Sequence, residues 1–242
     1  MNRLFFIFCL TAIFAGSSRT YGQEKSEKVN LSLEVANNFI WRGMANNTTP
    51  VMQSSVSFSP ASKFTLGTWA STPLSTDWGD QQSEVDIFID VQILPALSLF
   101  VTSYYVYGAG WKESYFNLKK EETGHAFDAQ LKIGTDDFPL RAMISTIFAG
   151  ADLNDKGKNN YSTYIELGYG KSGKHVDWEI FAGAVPMKSY FYGLTGADVV
   201  NLGFKVTKSF EITPTWSLPV SMKFTVNPAR RAAFLTAAVA LF

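Results

Sequence analysis

Two histidines, His125 and His175, and one cysteine, Cys9, are the only imidazoles and thiol in a chain of 242 residues. A lipid hydrolase built on a barrel needs a His and a Ser together on the outer face with an orienting polar partner. The His-x-Ser-Asn-Gly pattern that would supply them is absent. His125 follows a long polar stretch and His175 a short turn, which predicts opposite rims of any sheet they share and reads each as an ordinary solvated side chain. Asp152-Leu153-Asn154-Asp155-Lys156-Gly157 has the opening of a calcium loop, yet Lys156 stands at a ligand position and Thr163 where the bidentate Glu belongs. A polar loop is the better reading. No catalytic residue, metal site or cofactor is expected, and the chain is not expected to be an enzyme.

The richer chemistry lies in acids and bases that share one face of alternating segments. From Glu84 to Ile93, Val85, Ile87, Ile89, Val91 and Ile93 point one way and Glu84, Asp86, Asp90 and Gln92 the other. Extending that alternation gathers Glu34, Glu84, Asp86, Asp90, Asp128, Glu166, Asp177 and Glu179 on the wet face. The bases Arg42, Lys132, Arg141, Lys205, Lys223 and Arg231 oppose them. Rings of this kind set an electrostatic filter in a channel. They also pair and fill the lumen of small barrels with no open pore, so both outcomes stand at this point.

The elements that must position these residues are strands. Twelve alternating segments run over 28–42, 51–59, 63–72, 83–94, 97–107, 125–134, 139–149, 160–171, 174–184, 198–208, 215–226 and 232–242. Their length suits tilted membrane strands better than the strands of soluble sheets. Short links at 60–62, 95–96, 135–138 and 172–173 alternate with long ones at 43–50, 73–82, 108–124, 150–159 and 185–197; only 227–231 is short where a long one is due. A soluble sandwich has no reason to sort its loops into two lengths. An outer-membrane barrel does, with short periplasmic turns and long extracellular loops. Aromatics near strand ends, among them Phe39, Trp41, Trp69, Tyr105, Tyr107, Tyr161, Tyr169 and Trp216, suit interface girdles. Pro219 predicts a bulge or a displaced boundary in the eleventh segment.

Composition agrees. Hydrophobic residues make up 46% and aromatics 15%, with 17% charged and equal numbers of basic and acidic residues. That balance excludes a disordered chain, a disulfide scaffold and a typical nucleic-acid binder. Residues 1–22, with Arg3, the apolar run Leu4 to Ala15 and small residues beyond it, read as a cleaved signal peptide. The domain is then 23–242, exported and free of cysteine. Phe242 ends the last alternating segment and resembles the terminal aromatic that barrel-assembly machinery recognises.

Phe39-Ile40-Trp41-Arg42-Gly43, then Pro50 and Gln53, Gly67-Thr68-Trp69-Ala70-Ser71 and Glu84-Val85-Asp86 follow one another in an order that resembles the N-terminal signature of TorF-family porins. The match spans roughly residues 29 to 95. The resemblance implies a bacterial outer-membrane barrel with a transport role. The expectation is an all-β, transmembrane, antiparallel up-and-down barrel of about twelve strands, monomeric, passing small hydrophilic solutes or ions by passive diffusion. Its partners would be outer-membrane lipid, the assembly machinery and the solute. The alternatives are a non-conducting barrel whose long loops, above all 108–124 with Trp111, Tyr115 and Phe116, bind a partner or plug the pore, and a lipid-modifying enzyme.

Overall fold

The structure, a computed structural model, describes residues 28–75, 82–108, 114–135 and 138–242. The expected signal peptide at 1–22 and Trp111 lie outside those residues. The described chain is all β: β1 (Val29–Ala36), β2 (Phe39–Trp41), β3 (Met44–Asn47), β4 (Val51–Ala61), β5 (Phe64–Pro73), β6 (Gln82–Leu94), β7 (Leu97–Gly108), β8 (His125–Thr135), β9 (Phe138–Gly150), β10 (Thr163–Lys171), β11 (Asp177–Val185), β12 (Asp198–Thr213), β13 (Trp216–Asn227) and β14 (Ala232–Ala240). Twelve of these strands close into one antiparallel barrel in sequence order, with β1 joined to β4 on one side and β14 on the other, while β2 and β3 form a separate two-stranded sheet.

Alternation explains the wall. Ile87, Ile133, Leu167, Ile180, Phe204 and Leu235 stand outward and about half exposed, whereas Asp128, Gln130, Ser145 and Thr225 on the other face are buried. A closed sheet leaves no unpaired edge. It also lets a wall with an apolar outside keep its polar side chains inside.

The first expected segment, 28–42, is not one strand. β1 and β14 pair in register only from Glu34↔Ala240 to Ala36↔Ala238. Beyond that point Asn37 and Asn38 occupy the hydrogen-bonding groups of β14 with their side chains. Their Nδ2 atoms donate to the Leu235 carbonyl at 3.1 and 3.0 Å, Asn37 Oδ1 accepts from Ala237 N at 2.7 Å, and Asn38 Oδ1 accepts from Thr236 Oγ1 at 2.5 Å. The main chain is thereby freed to leave the wall and turn inward. It returns through a two-residue hairpin turn in which Arg42 and Gly43 both have positive φ, 47° and 78°, the backbone that matches the twist of flanking strands.

Two smaller expectations also shift. Pro219 sits in register opposite Ser209, and the irregularity of that pair falls at Glu211/Thr213. The β13–β14 ladder begins only at Val220, so the proline stands just outside that ladder rather than within it. Phe39, Trp41 and Trp69 are not girdle residues. They pack inside the barrel, Phe39 against Trp69 at 5.2 Å and Trp41 against Tyr104 at 5.3 Å between ring centroids.

Candidate functional site

The inturned β2–β3 hairpin crosses the lumen and is held by side chains from several strands. Asn47 exchanges two hydrogen bonds with the Gln82 main chain, at 2.7 and 2.9 Å, and Asn46 Nδ2 donates to Glu84 Oε2 at 3.0 Å. Across the barrel, Lys223 Nζ donates to the Ile40 carbonyl at 3.3 Å and Asn227 Nδ2 to the Gly43 carbonyl at 3.0 Å. Gly43 has no room for a side chain, since a Cβ there would lie 1.9 Å from the Val200 carbonyl oxygen. The hairpin is a plug, and its turn is shaped to the wall it meets.

Arg42 forms the centre. Its guanidinium donates to Asp128 Oδ2 at 3.0 Å and to the Tyr192 hydroxyl at 2.8 Å, and lies 4.5 and 4.8 Å from the ring centres of Trp41 and Tyr164. Asp128 also accepts from Tyr104 at 3.0 Å, from Gln130 at 3.1 Å and from Ser145 at 2.7 and 2.8 Å. A fully enclosed carboxylate is tolerable when its oxygens are saturated and a guanidinium opposes it. Asp128 meets both conditions. Beside this latch Tyr164 donates to Glu166, and Asn201 Nδ2 donates to both at 2.9 Å. Gly183 makes the space, because a Cβ there would meet the Tyr164 hydroxyl at 2.0 Å.

A second inward loop supports the plug. Between β11 and β12, Ser189 and Leu194 pair as an isolated bridge, and Tyr192 at its tip is 1% exposed. Burial pushes the Tyr192 phenol up to about 12, so it stays protonated at neutral pH. The loop is tied down by a relay: Tyr192 N donates to Ser189 Oγ at 3.1 Å, Ser189 to Ser162 Oγ at 2.6 Å, and Ser162 to Asp152 Oδ1 at 2.8 Å. Asp152, weighed above as the first residue of a calcium loop, is thus engaged with Ser162. Arg230 Nη2 reaches the Tyr192 carbonyl at 3.2 Å.

The other half of the lumen is open. A cavity of about 1260 Å³ at the short-turn rim is lined by Asp90, Lys132, Arg141, Glu166, Asp177, Glu179 and Lys205, among others. Arg141 and Glu179 pair there at 2.6 Å, both partly exposed. Glu179, Lys205 and Lys223 lie side by side across β11, β12 and β13, and Glu34 lies on β1 opposite Gln53 of β4.

The expected lining residues other than Glu34 and Lys223 fall into three groups. Asp90, Lys132, Arg141, Glu166, Asp177, Glu179 and Lys205 border the cavity. Glu84, Asp86 and Asp128 are buried at the level of the plug, and Arg42 reaches that level from the hairpin rather than from a barrel strand. Arg231 is the correction. It is an exposed turn residue with φ 52°, and its neighbour Arg230 is the one that reaches the inward β11–β12 loop. Phe242 extends past β14, with its carbonyl accepting from Leu33 N at 3.0 Å.

His125 lies on the outer face of β8 and is buried, not solvated. Its Nε2 faces the Tyr115 carbonyl at 2.6 Å, so that nitrogen carries the proton, and Nδ1 accepts from Ser103 Oγ at 2.7 Å. Tyr105, Tyr115 and Phe127 pack around the ring, which fastens the 114–124 stretch to the wall. His175 lies in the β10–β11 turn, at the other rim. Among the described residues no three His, Cys, Asp or Glu side chains are placed to hold a metal together. No family model and no curated protein sequence matches this chain.

Proposed function

We propose that the protein is a bacterial outer-membrane barrel, a porin-like channel that passes small hydrophilic solutes or ions by passive diffusion, with the β2–β3 hairpin as its gate. One observation carries this reading: a charged cavity of about 1260 Å³ opens at the short-turn rim, while a hairpin that forms its own sheet fills the lumen at the level of Glu84 and Asp128. Side-chain hydrogen bonds hold that hairpin, and these exchange with water far more readily than a wall ladder does. The belt of outward Ile, Leu and Phe suits lipid, which admits a sheet only when it is closed. The terminal Phe242, the leader-like 1–22 and the TorF-type motif order support export, insertion by assembly machinery and a transport role.

The test is single-channel recording of the refolded protein in a planar bilayer. Discrete, salt-dependent steps support the channel. Silence from a protein shown to be folded by heat-modifiable gel migration supports the second reading, a non-conducting structural or surface-binding barrel. That reading draws on the burial of Arg42 and Asp128, whose side chains are 7% and 0% exposed. Fractionation of cells expressing the full chain tests the location, and removal of Phe242 is expected to lower the folded yield in the outer membrane.

A further inference from the structure

We infer that the lumen wall holds a divalent cation of calcium type between β5 and β6, coordinated by Glu84, Asp86 and Ser71. The register sets Ser71 opposite Glu84 and Trp69 opposite Asp86, and alternation turns all four toward the lumen. Ser71, Glu84 and Asp86 are 2, 5 and 7% exposed. The two carboxylates are two residues apart on the same face of β6. No basic side chain pairs with either among the described residues, Arg42 being engaged with Asp128 and Arg141 with Glu179.

Two further atoms point to a ligand. Asp86 Oδ1 and Ser71 Oγ are both buried without a hydrogen-bond partner, although one belongs to a carboxylate and the other to a hydroxyl on the neighbouring strand. Leaving such oxygens bare in a sealed site is costly. Two like charges in contact add to that cost unless something positive lies between them. Carboxylates and a hydroxyl are hard oxygen donors, which calcium accepts in numbers and in irregular arrangements. The charge also balances, since a divalent ion offsets two carboxylates. Asn46 of the hairpin donates to Glu84 at 3.0 Å, so the ion would sit directly against the plug. The inference stands whether or not the lumen conducts.

Trp69 supplies the readout, because it faces Asp86 across the ladder. Terbium added to the folded barrel is expected to give emission sensitised through tryptophan that calcium displaces. Calcium is also expected to raise the unfolding temperature relative to chelator. Asp86→Asn and Glu84→Gln, which keep shape and remove charge, should abolish both responses, and Ser71→Ala should weaken them. In chelator Asp86→Asn should unfold no earlier than the parent, since it relieves a repulsion. Absence of sensitised emission from the parent protein, or an undiminished calcium response in both carboxamide variants, overturns the proposal. Either result would leave a shared proton as what holds the two carboxyls together.

Discussion

The two halves of the lumen use the same residue types to opposite ends. In the plugged half, Asp128 and Arg42 are enclosed and every oxygen of the carboxylate is engaged by Arg42, Tyr104, Gln130 or Ser145. In the open half, Arg141 and Glu179 make a shorter contact, 2.6 Å against 3.0 Å, but their side chains are 56 and 32% exposed. Distance is thus a poor guide to what an ion pair does. A pair in water contributes little and is screened by salt, whereas a buried pair is expensive to break because removal of one partner strands the other. The enclosed pair is a lock, and the exposed pairs are a solvated lining.

The largest expected effect comes from erasing the contrast. Replacing residues 39–48 with a short Gly-Ser link, which keeps Asn37 and Asn38 on β14, should leave the wall closed and convert small or absent conductance into large steps, as read in planar bilayers. Next, Arg42→Ala should lower stability by about 3–5 kcal/mol, because Asp128 stays buried without its cation. Arg42→Lys should restore little, since an ammonium cannot match the fork that reaches Asp128 and Tyr192 together. Chemical unfolding in detergent measures both. Gly43→Ala should cost about 1–3 kcal/mol, as the positive φ and the Val200 carbonyl both oppose a side chain.

Smaller effects sharpen the comparison. Asp90 borders the cavity and Glu84 does not, so Asp90→Asn should shift the reversal potential in a salt gradient away from cations, with Glu84→Gln shifting it less. Equal shifts would show that the plug half is wet. At the bottom of the scale, Arg141→Ala should cost under about 1 kcal/mol, an amount that disappears at high salt in the same unfolding assay.

Most of the wall was legible because period-two alternation is dictated by a face in lipid or apolar packing and a face in water. Glu84 to Ile93 could be read residue by residue on that basis. The plug was not legible for the same reason. Phe39 and Trp41 continue the alternation of β1, and nothing in the period marks the point at which a strand leaves its partner. The marks that exist are local: the Asn37-Asn38 pair, whose side chains imitate a strand's hydrogen bonds, and Arg42-Gly43, which supplies a two-residue turn. Arg231 is reached by extending the alternation, and parity fails inside a turn. Loop lengths correctly sorted the rims but not which loops turn inward, since length says nothing about burial. The 114–124 stretch packs on the outside through Tyr115, while the 37–50 stretch enters the barrel.

The seam between β1 and β14 has a consequence for assembly. Its register holds only three residue pairs, flanked by main-chain bonds of Leu33 to Leu241 and Phe242 and of Asn37 to Ala237, before the chain departs for the lumen. The first and last strands must find each other across nearly the whole sequence, the slowest kind of contact to form. Because Asn37 and Asn38 seal that seam and also launch the hairpin, zipping the cylinder shut and seating its contents are a single late step. Such a barrel is born closed, and under the proposed channel function its permeability begins as something to be released.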